Sequence, residues 1–200
     1  MPIWAWILIA AAIVVGAVLV YGVLARRRTT RLRERFGPEY DRTVEQRGER
    51  RQAEAELRGR EERRERLEIR PLTPEAHERY LESWRRLQSD FVDDPAGAVS
   101  GADQLVNSVM SERGYPMDDF EQRAEDISVD HPEVVERYRS AHGIAIKNDE
   151  GEATTEDLRQ ALKHYRALFE ELLEPEGEQS LEREATETTD TTREEHARQR

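Results

Sequence analysis

From Ile3 to Leu24 the chain is apolar throughout and carries no charged residue. A helix of that length rises about 33 Å, close to the hydrocarbon thickness of a bilayer. The pattern therefore predicts a membrane-spanning helix within residues 1–25. Trp4 and Trp6 near one end and Tyr21 near the other are ring types that settle at water–lipid interfaces. Beyond the run, Leu32, Phe36, Tyr40 and Val44 recur at steps of four, interrupted at Gly37-Pro38. That spacing predicts a kinked interfacial helix, one segment ending at the break and the next starting with Pro38 in its first turn.

From Asp41 to Ile69 the sequence favours helix and is charged all round, with Glu54/Arg58, Glu56/Arg60 and Glu62/Arg66 four apart in the favourable order. Leu57 and Leu67 are too sparse for a heptad seam, so residues 26–70 predict a basic juxtamembrane region and a solvated stalk. Fully helical, the stalk would reach about 40 Å, with Gly48 and Gly59 each weakening it by roughly 1 kcal/mol.

Periodic helices resume at Pro71. Thr73-Pro74 starts one with the stripe Tyr80, Trp84, Leu87, Phe91, and Asp94-Pro95 starts another with Val99, Ala102, Leu105 or Val106, and Val109, stopped by Gly114 and Pro116. A short acidic connector helix is expected over Met117 to Ile127, anchored by Phe120 and Ile127. Asp130 is placed to cap the next helix, whose buried face is Val134 or Val135, Tyr138, Ala141 or His142, and Ala145. Thr154 and Asp157 resemble a capping box ahead of Leu158, Leu162, Tyr165 and Phe169. No segment alternates with the period of two that strands require, so the expected class is all-α: a bundle of four main helices and one short one over residues 71–174. Residues 175–200 hold Leu181 and little else that is large and apolar, which predicts a disordered acidic tail.

Charge gives the molecule a direction. Residues 26–70 carry 16 Arg against 11 acidic side chains, net +5, whereas Pro71 onward carries 15 basic and 32 acidic, net −17. Arg26, Arg27 and Arg28 directly follow the apolar run, and such clusters stay on the cytoplasmic side. The expected location is the inner plasma membrane, single-pass, N-terminus out and bundle in, with the arginines held to anionic lipid. A cleaved signal peptide would need basic residues ahead of its apolar core, and only Met1 and Pro2 stand there. So acidic a bundle is a poor partner for nucleic acid. With no cysteine in the chain, disulfides, thiolate metal sites and cysteine nucleophiles are excluded. Ala12 and Gly16 form a small-xxx-small step that favours weak self-association of spans.

Candidate chemistry is sparse. None of His77, His131, His142, His164 and His196 sits at a known metal-ligand spacing, and no cofactor is expected. Gly97 and Gly101 lack the preceding strand and following lysine of a phosphate loop and read as a close helix contact. Asp118, Asp119, Glu121, Glu125 and Asp126 lack the oxygen pattern of a calcium loop and read as a solvated face. No catalytic constellation is visible, so the chain is not expected to be an enzyme. The one ligand pocket worth naming would be built from Trp84, Tyr138, His142 and Tyr165 inside the bundle.

The stretches Arg35-Phe36-Gly37-Pro38-Glu39-Tyr40-Asp41-Arg42, Phe91-Val92-Asp93-Asp94-Pro95 and Asp130-His131-Pro132 resemble a group of uncharacterised bacterial single-span membrane proteins, often from high-GC actinobacteria. The resemblance implies membrane anchoring and supplies no catalytic residues. The function expected is that of a non-catalytic membrane-anchored scaffold or adaptor whose cytoplasmic bundle binds another protein. Two alternatives stand beside it: a membrane-tethered small-molecule sensor, and an envelope-facing structural protein of opposite topology.

Overall fold

The computed structural model describes Gly16 and residues 26–174, and every regular element among them is helical. None of these described helices is long and apolar enough to cross a membrane. The span expected over residues 1–25, with Trp4, Trp6, Ala12 and Tyr21, lies outside the described residues apart from helical Gly16, and so does the tail from Pro175. The chain divides into two compact units, the first ending at Glu62 and the second starting at Arg63.

In the first unit, α1 covers residues 26–36, α2 is Pro38–Arg47, and most of α3, Arg50–Glu65, comes next. Gly37 adopts φ 46° with Pro38 opening α2, the expected break. The continuous solvated stalk expected beyond it does not form. Gly48 closes α2 at φ 69°, a left-handed cap that glycine adopts at little cost, and the chain turns there. Tyr40 donates to Glu54 at 3.1 Å, Arg47 pairs with Glu56, and Arg60 donates to Glu39 at 2.8 Å, so α2 folds back along α3. Thr29 donates to Glu54 at 2.8 Å and Arg35 pairs with Glu61 at 3.3 Å, which ties α1 to α3 as well.

The apolar residues that are too sparse for a seam are enough for these short faces: Leu32, Phe36 and Tyr40 on one side and Ala53 and Leu57 on α3 are all buried. The Glu56–Arg60 pair forms at 2.6 Å as its spacing predicts, but Arg60 is 2% exposed and also reaches Glu39, 1% exposed, across the turn. A charge pair so far from water persists only when each partner is well bonded.

The second unit is the bundle: α4 Pro74–Asp90, α5 Pro95–Arg113, α6 Phe120–Asp130, α7 Pro132–Asp149 and α8 Thr155–Leu173. Caps fall where the sequence sets them. Thr73 accepts from the Ala76 amide, Asp94 from Gly97, and Thr154 and Asp157 form both halves of the capping box. Neighbouring helices pack in the order α4, α5, α8, α7, α6, with α5 also touching α7. Trp84, Val99, Val106, Met110, Ile127, Val135, Tyr138, Tyr165, Leu168 and Phe169 fill the interior between them.

A Cβ at Gly101 would lie 2.5 Å from Leu87 Cδ2, so this glycine is where α4 and α5 approach, as its spacing suggests. A Cβ at Gly97 would strike Asp94, its own helix cap, rather than another helix.

Two expectations are corrected around α6. The helix begins at Phe120, capped by Asp119, and runs to Asp130. It buries Ala124, Asp126, Ile127, Ser128 and Val129, so it is a layer of the core rather than a connector; of the acidic run, Asp118, Asp119 and Glu121 are exposed as expected, whereas Asp126 is buried. Asp130 does not cap α7. It ends α6 and accepts from Arg64 and Tyr115, while His131 stands at the α7 N-cap position without a side-chain cap bond.

Candidate functional site

The polar centre of the bundle is Asp103, which stands one residue beyond Ala102 on α5 and so is carried just off the buried stripe of Val99, Ala102 and Val106. Three helices bring groups to it. Tyr165 of α8 donates to Oδ1 at 2.7 Å, and Asn107, one turn along α5, donates to Oδ2 at 2.9 Å. His142 Nδ1 of α7 lies 3.9 Å from Oδ1, within ion-pair but outside hydrogen-bond range. Tyr138 donates to Asn107 Oδ1 at 3.4 Å and accepts from Arg123 of α6 at 3.5 Å. Phe120 lies flat on the His142 ring, centroids 3.7 Å apart and planes 11° from parallel, and meets Tyr138 at 4.9 Å.

Electrostatics fix the roles. Burial pushes the Asp103 carboxyl up, but His142 and Tyr165 beside it, with Arg123 nearby, prevail and hold it below the usual carboxylate value. Burial first, then the Asp103 charge, pushes Tyr165 far above an ordinary phenol. Burial likewise raises Tyr138, against the pull of Arg123. At neutral pH Asp103 is thus a charged acceptor and both phenols are fixed donors. This arrangement clamps α5, α6, α7 and α8 together; phenols so hard to ionise are poor nucleophiles and bases.

Of the four residues expected to line a pocket, Tyr138, His142 and Tyr165 do converge, with Tyr138 and Tyr165 edge to face at 6.4 Å. Trp84 lies apart, stacked on Phe169 at 4.8 Å in the core. Two cavities of the second unit are lined by other residues. One, of about 390 Å³, lies at the α4–α5 corner beside Leu87, Asp90 and Asp94, and the other, of about 360 Å³, beside Arg63, Arg66 and Asp118.

Sequence reasoning does not single out Asp103, Asn107, Arg123 or Arg113. Arg113 falls four residues after Val109, on the buried stripe, and a charge in phase with that stripe is the signal that marks it. It is 1% exposed and donates to the Leu172 carbonyl at 2.9 Å, satisfying the end of α8. In the first unit, Arg33 pairs with Asp41 and Arg35 with Glu61, whereas Arg26, Arg27, Arg28 and Arg31 are exposed and make no ion pair among the described residues.

No protein-family model, curated protein or solved structure matches this chain.

Proposed function

We propose that the chain is a non-catalytic protein moored in the bacterial inner membrane by residues 1–25, N-terminus out, which offers its helical bundle to another cytoplasmic protein as a scaffold or adaptor. The observation that carries this reading is the order of charge. Four exposed arginines, without an ion pair among the described residues, directly follow the apolar run, and an acidic bundle comes after them. The arginines suit the anionic headgroups of the inner leaflet. Asp103, Asn107, Tyr138 and Tyr165 are engaged with one another inside the bundle, and the outer surface is the part offered to a partner. Close approach of two spans through Ala12 and Gly16 fits the same reading and would place bundles in pairs.

The test is in-cell photocrosslinking from single exposed positions on each helix, such as Glu78, Arg85, Glu136, Lys147 and Arg159, read by mass spectrometry. The adaptor reading expects one recurrent partner whose crosslinks concentrate on adjoining positions. Crosslinks no different from those of an unrelated bundle tethered to the same membrane would contradict it.

A further inference from the structure

The first unit brings a distant part of the chain back to the end of the apolar run. Thr29 donates to Glu54 at 2.8 Å and, further along, Arg35 pairs with Glu61 at 3.3 Å, so α1 and α3 run side by side in the same direction. α2 runs the other way, its start tied to Arg60 through Glu39 and its finish to Glu56 through Arg47. The turn at Gly48 that joins α2 to α3 therefore lies at the end where α1 begins.

Register sets the level. Arg50 and Arg51 precede Glu54 by four and three residues, and Arg26 precedes Thr29 by three. At about 1.5 Å per residue, both arginines stand within about 2 Å of the height of Arg26, directly past the apolar run. On a straight helical stalk they would lie about 36 Å farther out.

This end is positive. Arg51, like Arg26, Arg27 and Arg28, is exposed and makes no ion pair among the described residues. Arg50 meets Glu54 at 3.6 Å but keeps a 68% exposed side chain. Glu54 is already engaged by Thr29 and Tyr40, which leaves Glu45 and Glu49 as the exposed carboxylates here, the second accepting from Gln52 at 3.0 Å. Four unpaired guanidinium groups outnumber two carboxylates, and a guanidinium fork matches the oxygens of a phosphate.

We infer that the α2–α3 turn is a second membrane contact, at which Arg50 and Arg51 hold phosphates of anionic phospholipid beside those held by Arg26, Arg27 and Arg28. The inference rests on the proposed span over residues 1–25 and adds to it a footing that α3 supplies. Two points of contact fix the tilt of the first unit on the surface, which one does not.

The experiment uses the full chain in vesicles that mix phosphatidylcholine and phosphatidylglycerol. A fluorophore is placed on Gln46→Cys beside the turn, or on Glu62→Cys, about 18 Å from Arg50 along α3. Either phosphatidylglycerol or phosphatidylcholine carries a shallow nitroxide, at equal fraction, and the quenching by the two is compared. At position 46 the phosphatidylglycerol nitroxide quenches about twofold more strongly, because each arginine near the surface favours anionic lipid. Position 62 is quenched weakly by both. Arg50→Gln and Arg51→Gln together, at exposed positions and with an unchanged melting curve as the control, remove at least about half of the preference at position 46. If a chain that survives alkaline carbonate washing is quenched alike at positions 46 and 62, or if the joint substitution leaves the preference unchanged, this inference is overturned and the anchor stands. A chain that carbonate strips from the vesicles overturns both.

Discussion

Asp103 gathers donors from its own helix and from α8, and its replacement shows what the polar centre contributes. Asp103→Asn keeps the shape but removes the charge that Tyr165 and Asn107 serve, and should cost about 1–3 kcal/mol in urea unfolding. The sign with pH comes from its depressed value. The Asp103 contribution is complete above the unfolded carboxyl's 3.8 and disappears as pH falls through the still lower folded value. Asp103→Asn should therefore lose the part of the acid-side slope that lies below about pH 4. An acid limb identical in both chains would show that the carboxylate is not engaged as described. Tyr138, His142 and Tyr165 are legible in the sequence as members of apolar faces. Asp103 is not, because its partner Tyr165 is 62 residues away and only packing brings the two together.

At the scale of elements, the caps carry most of what can be read in advance. Thr73, Asp94 and Thr154 start α4, α5 and α8 where hydroxyl or carboxylate chemistry says they should. Thr154→Ala removes the hydroxyl half of the α8 capping box, while Asp157 still accepts from the backbone N–H at position 154, and should lower stability by about 1 kcal/mol, measured by thermal or urea unfolding. The turn at Gly48 is legible only as a weak point in a rod, since a lone glycine in a charged helical stretch does not reveal its φ. The two glycines separate the rod from the folded-back pair. At Gly48, φ 69° makes alanine strained by about 1 kcal/mol, whereas Gly59 lies inside α3 with open space around a Cβ, so alanine there should stabilise by up to about 1 kcal/mol. Amide hydrogen exchange in α2 and α3 reports each change. A continuous stalk would be strengthened by both substitutions. The depth of α6 is hidden for a related reason: its acidic residues suggest a solvated face, but Asp126 is buried beside Gln122 and Arg63 while Ala124 and Ile127 carry the apolar contact.

For the molecule as a whole, the proposed topology rests on an ordered sequence of grease, positive charge and negative charge. Arg26, Arg27, Arg28 and Arg31 should act together in holding the chain beyond them on the inner side, each contributing roughly 1 kcal/mol near an anionic surface. Changing all four to Gln should produce a mixed population, with a measurable fraction of bundles exported, scored by protease accessibility in spheroplasts. A topology unchanged by the substitution would mean that other segments set it.

Because the chain has no native cysteine, a single introduced thiol can report on which side of the membrane the bundle lies. Glu152→Cys places that thiol at an exposed position between α7 and α8. A bundle moored on the inner face predicts that this protein stays in the membrane pellet through alkaline carbonate washing and resists an impermeant maleimide on spheroplasts until the membrane is opened. Labelling of unbroken spheroplasts, or recovery of a shortened chain free in the medium, would contradict it.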